Sequence, residues 1–132
     1  MYQKQDIWLT YGRFNSLSGD YINYGAFVFN TRQYRKFGNW STSHLKTFKK
    51  WLFDRIKDED LRAEDGEYFR VVGDLALMHP MVEMAGKRHA KCSDKVLYVY
   101  NDKHPGGQFP QVHDRERKVI RSKRSVYELI DK

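Results

Sequence analysis

The chain has 132 residues, and its 24 Lys and Arg against 17 Asp and Glu give a formal net charge of +7. At this length a single domain over residues 1–132 is expected, and 40% hydrophobic with 15% aromatic content supplies enough apolar side chain for a core, which argues against disorder. The lone cysteine, Cys92, excludes an intrachain disulfide scaffold and a zinc ribbon. No uncharged apolar run approaches the roughly 20 residues that cross a bilayer, and the opening MYQKQD does not read as a signal peptide, so a soluble, cytoplasmic chain is expected. The excess of positive charge points to an anionic partner: nucleic acid, a phosphate-bearing small molecule or an anionic surface.

In chain order, residues 6–12 form a short apolar and aromatic run closed by Gly12 and read as a buried strand. Gly19-Asp20 reads as a turn. Residues 21–29 are rich in β-formers but broken by Gly25, which reads as a strand or an irregular hairpin arm, and a loop follows to Trp40. Over residues 43–56 the three- and four-residue steps of Leu45, Phe48, Leu52 and Ile56 predict a helix, with Ser41, Thr42 and Ser43 as capping residues. A charged stretch turns at Gly66. Leu75, Met78, Val82 and Ala85 then form the apolar stripe of a second helix, with Gly86 at its C′ position and Pro80 expected to kink or split it.

Residues 96–100, Val-Leu-Tyr-Val-Tyr, make the strongest strand signal, and their continuous apolarity predicts burial on both faces. The basic tail from His113 reads as one or two helical segments carrying Val119, Ile120, Val126, Leu129 and Ile130 as a loose apolar face. Strands alternating with helices give the α/β class.

Several residues are candidates for chemistry. Asp74 puts a carboxylate at the entrance of an apolar helix. It reads either as a first-turn residue favoured by the positive helix end or as a general base facing a cleft, and the two are compatible. His104 stands in a Pro- and Gly-containing loop after the apolar strand, either solvated or touching a metal or phosphate. Asp58-Glu59-Asp60 has the spacing of a metal-binding DxD but sits in a charged stretch after a helix, and reads as a solvated helix end. There is no phosphate loop, dinucleotide fingerprint or nucleophile elbow. The basic clusters of Lys87, Arg88 and Lys91 and of Lys118, Arg121, Lys123 and Arg124 lack interleaved aromatics and read as solvated faces.

Residues 66–86 and 96–101 together resemble the C-terminal half of family 2-like glycosyltransferases with the GT-A fold. Residues 7–12 and 43–53 resemble the strand after the metal site and the helix of the acceptor region in the same proteins. The resemblance implies a partial GT-A-like, Rossmann-like mixed sheet flanked by helices that lacks the N-terminal nucleotide-binding half with its DxD motif. It implies transfer of a hexose from a nucleotide-sugar to a sugar or protein acceptor, with Asp74 as base toward the acceptor hydroxyl. His104 is the implied contact to the metal or the donor diphosphate, and manganese or magnesium is the implied cofactor. Trp8, Tyr11 and Trp40 are candidates for stacking on sugar faces. An incomplete sheet leaves an open edge, so a second chain or a second copy is an expected partner. The competing expectation is a non-catalytic basic module for nucleic acid or an anionic surface, on the same scaffold.

Overall fold

The structure, a computed structural model, describes residues 6–19, 22–23, 32–37, 42–103 and 110–130. Its centre is β1 (Leu9–Ser16), an eight-residue strand flanked on one edge by β4 (Ala90–Tyr100) and on the other by β2 (Ile22–Asn23) and β3 (Ser43–Phe48). The β1–β4 pair is parallel, while β2 and β3 run antiparallel to β1, so the sheet is mixed. With the helices α1 (Tyr34–Phe37), α2 (Lys50–Phe53), α3 (Gly73–His89) and α4 (Pro110–Lys118), this is an α/β arrangement.

The opening apolar run is the buried strand its composition predicts: Trp8, Leu9 and Tyr11 are at most 2% exposed. Gly12 does not close the strand but lies inside it. A Cβ there would stand 2.9 Å from the His44 carbonyl oxygen, so glycine is what lets β3 approach this closely. Of the turn expected at Gly19-Asp20, Gly19 is described and has a turn-like φ of 79°, while Asp20 lies outside the described residues. Of residues 21–29, the described part is β2; the remainder of that expected strand lies outside the described residues.

The helix expected over residues 43–56 is instead β3 followed by the short α2. Lys49 separates the two with extended backbone, and its N–H donates to the Trp8 carbonyl at 2.8 Å. Pairing with the open edge of β1 overrides a short helical period: Thr10 and Thr47 exchange a hydroxyl hydrogen bond at 2.6 Å, while Leu45 and Phe48 are left exposed. Only the second half of the periodic set, Leu52 and Ile56, enters the core.

The second expected helix is α3. Leu75, Met78, Val82 and Ala85 are all buried along it, the last three in a cluster with Leu9, Tyr11 and Leu52 of β1 and α2, and Leu75 in a second cluster with Val119 and Ile120 of the tail. The expected break at Pro80 does not occur. The backbone stays helical through the proline, which is packed within a fully buried stretch, and leaves helical angles only at Gly86, where φ is 61°. Gly86 is thus a kink inside α3, which resumes to His89, and not a C′ residue beyond its end; a Cβ there would also meet the Leu129 side chain at 2.6 Å.

Between these elements a 3₁₀ turn (Asp58–Leu61) carries the acidic triplet, with Asp58 taking Arg62 and the Tyr68 hydroxyl and Asp60 taking the Tyr127 hydroxyl at 2.5 Å. The tail is α4 running into a single π turn (Val119–Lys123), after which residues 125–130 lie without helix along the end of α3. Val119 and Ile120 are buried as expected, whereas Leu129 is 50% exposed. The tail is pinned by main-chain contacts: the Tyr127 N–H donates to Glu83 at 2.9 Å and the Ile130 N–H to the Met84 carbonyl at 2.9 Å.

The core is closed by an ion pair that no sequence motif announces. Arg35 on α1 forks onto both Glu83 carboxylate oxygens at 2.8 and 2.7 Å, with both side chains 1% exposed. No helix among the described residues is long and apolar enough to cross a membrane.

Candidate functional site

Among the described residues, Asp74 is the one expected site residue that the fold leaves accessible. It sits in the first turn of α3, where free backbone N–H groups favour a negative charge, and its side chain is 40% exposed. Two contacts orient the carboxylate. The Leu75 N–H donates to Oδ1 at 2.9 Å, and the ammonium of Lys46 on β3 reaches Oδ2 at 3.2 Å. Lys46 is itself only 12% exposed, so this contact is made in a partly dehydrated position.

The approach to α3 is held from a distance in sequence. Glu116 on α4, 5% exposed, accepts the N–H groups of Arg70 and Val71 at 2.9 Å each and of Val72 at 3.0 Å. Burial alone would raise this carboxyl; the three N–H donors, aided by the Arg70 charge, outweigh burial and hold it below the usual carboxylate range. The chain entering the helix, and so the position of Asp74, is thereby fixed by a residue from another element.

Beside Asp74 the sheet presents aromatic rings from three strands. The imidazole of His44 stacks on Tyr98 with centroids 4.5 Å apart and 21° between planes, and lies 6.0 Å from both Tyr100 and Phe14. Burial, followed by the nearby Lys46 charge, holds His44 below the usual imidazole range, with Asp74 acting in the opposite direction. On the other flank of the first turn of α3, an open depression of about 590 Å³ is lined by Phe53, Leu61, Tyr68, Gly73 and Leu77 among others; Asp74 does not line it.

The remaining expected site residues do not join Asp74. Trp8 and Tyr11 are 2% and 1% exposed and belong to the core: Trp8 stacks on His89 at 3.6 Å and meets the edge of Trp51 at 4.9 Å. Aromatic side chains at the central strand bury more apolar area there than at any surface position, which is why these two are covered. Trp40 and His104 lie outside the described residues. Among the described residues no three His, Cys, Asp or Glu side chains come together as a metal ion requires, and the expected ligand, His104, is not one of those residues.

Sequence reasoning missed Lys46, His44 as a sheet residue, and Glu116. His44 and Lys46 are alternate residues of a six-residue stretch that contains Thr47, and a two-residue period was the available signal. Nothing local marks Glu116, because its partners are 44 to 46 positions away. Compared with family models, with curated proteins and with solved structures, the chain matches none of them.

Proposed function

We propose that this chain carries the acceptor side of a GT-A-type glycosyltransferase that uses a nucleotide-sugar, with Asp74 as the base toward the acceptor hydroxyl. The observation that carries the reading is the setting of Asp74: an accessible carboxylate at a helix N-terminus, oriented by Lys46 and by its own helix, beside an aromatic sheet face. In the transfer, the Asp74 carboxylate takes the hydroxyl proton as the acceptor oxygen bonds to the anomeric carbon. The bond from that carbon to the nucleoside diphosphate breaks, and the diphosphate leaves with the electron pair. The order of segments supports the same reading, since α3 leads directly into β4 and β4 lies parallel to β1. GT-A membership and the hexose donor rest on the sequence resemblance.

The test is nucleoside diphosphate release from a panel of nucleotide-sugars in the presence of simple glycoside acceptors, with and without manganese. Asp74→Asn is expected to lower turnover by about 100-fold or more while leaving thermal stability close to wild type. Transfer undiminished in Asp74→Asn would sink the assignment. Retention of DNA that falls steeply with salt, in a chain without transfer, would point to the basic binding module instead.

A further inference from the structure

We propose that the ring cluster of His44, Tyr98 and Tyr100, beside the Asp74–Lys46 pair, is a saccharide subsite that seats the sugar ring of the acceptor. The inference rests on the reading of Asp74 as the group that meets an acceptor hydroxyl, and it names both the acceptor class and the residues that select it. A pyranose has two unlike surfaces, a flat patch of C–H bonds and a rim of hydroxyls, and a site for it needs a ring to stack on with hydrogen-bonding groups alongside.

Both requirements are met on one side of the sheet. Tyr98, at the outer strand, is 36% exposed and stacked on His44, and Tyr100 lies within 6.0 Å of the same imidazole. Phe14 of the central strand, 7% exposed, supports the cluster from below, 5.2 Å from Tyr100. The polar groups come from the neighbouring position on β3 and from α3: the Lys46 ammonium as donor and the Asp74 carboxylate as acceptor, 3.2 Å apart. Lys46 stands two positions from His44 on β3, which brings the Asp74 carboxylate it holds alongside the ring cluster. Held neutral by burial and by Lys46, that imidazole contributes an uncharged aromatic surface at neutral pH.

Charge separates this occupant from the other flat ligand of the reaction. A nucleobase would also stack, but it brings a diphosphate toward the Asp74 carboxylate. A neutral glycoside brings only hydroxyls, which the carboxylate and ammonium receive as hydrogen-bond partners. Accordingly the donor is placed elsewhere and the acceptor on the rings.

The experiment is a titration of the whole chain with methyl glycosides of glucose, galactose, mannose and N-acetylglucosamine, followed by backbone amide NMR signals and calorimetry. At least one glycoside is expected to move the signals of His44, Tyr98 and Asp74. Tyr98→Ala should weaken its binding by about tenfold, and Tyr98→Phe, which keeps the ring, by no more than about threefold. Tyr98 is an exposed residue of a strand that, among the described residues, pairs only with β1, so the alanine variant is expected to fold, and a wild-type pattern of amide signals away from β4 verifies it. Glycosides that leave His44 and Tyr98 unmoved at saturating concentration overturn the proposal, as does a Tyr98→Ala variant that binds like wild type. Uridine diphosphate moving these signals in place of any glycoside overturns it in favour of the nucleobase. The two readings fail separately: Asp74→Asn that binds glycoside but still transfers sugar removes the catalytic assignment and leaves the subsite standing.

Discussion

β1 and β4 lie side by side in parallel, and in the sequence both read as short runs of aliphatic and aromatic residues. In the fold they part company. β1 is buried along almost its whole length, while β4 from Asp94 to Val99 is exposed, with Leu97 at 58% and Val99 at 60%. The cause is position. β1 is bordered on both edges and covered by α3, whereas among the described residues β4 pairs only with β1. An apolar run therefore reports that a segment is extended; how deeply it is buried depends on how many neighbours the topology gives it.

The sharpest way to test the protected side of this contrast is to leave a charge stranded within it. Arg35→Met removes the side chain that forks onto Glu83, and stability measured by urea unfolding is expected to fall by about 3–5 kcal/mol. A loss below about 1 kcal/mol would mean that water reaches Glu83 and that this side is less closed than its 1% exposure indicates.

A paired truncation tests the strands themselves. Leu9→Ala in β1, at a position 0% exposed, should cost about 2–5 kcal/mol, and Leu97→Ala in β4 should stay within about 0.5 kcal/mol. Equal losses would show that the outer half of β4 is covered in solution, and the contrast between the strands would collapse.

The pH dependence tests the same closed side through a single group. His79 on α3, 1% exposed, is pushed down to about 3 by burial and then by the charges of Arg35, Arg121 and Arg117. Between its ordinary value near 6.5 and about 3 the unfolded chain carries the proton and the folded chain does not. Stability thus falls as pH drops through that window, by up to about 1.4 kcal/mol per pH unit. His79→Phe should flatten the slope of unfolding free energy against pH there, and an unchanged slope would assign the acid sensitivity to other groups.

How much of this was legible in the sequence follows the same division. The stripe of α3 and a departure from helical backbone at Gly86 were readable because they are local: a 3.6-residue period and a residue tolerant of positive φ. The burial of β1 was readable from composition. β3 was not, because Leu45, Phe48, Leu52 and Ile56 keep helical spacing across a strand, a break at Lys49 and a short helix, and the deciding term was an open edge on β1 far away in sequence. At the candidate site, Asp74 was marked by its place before an apolar stripe. Its partners were not, since Lys46 joins it only through the strand pairing that the helical period concealed.

The Glu116 cradle has a consequence for the order in which the protein is made. The N–H groups of Arg70, Val71 and Val72 wait for a carboxylate that lies 44 or more positions downstream, so α3 can begin to form on a growing chain but its entrance cannot be completed. At synthesis rates of about 5–20 residues per second, the delay between the two is roughly two to nine seconds. Asp74 is therefore set in place only after α4 has emerged, and a nascent chain halted before α4 would carry the core of α3 without the poised carboxylate at its head.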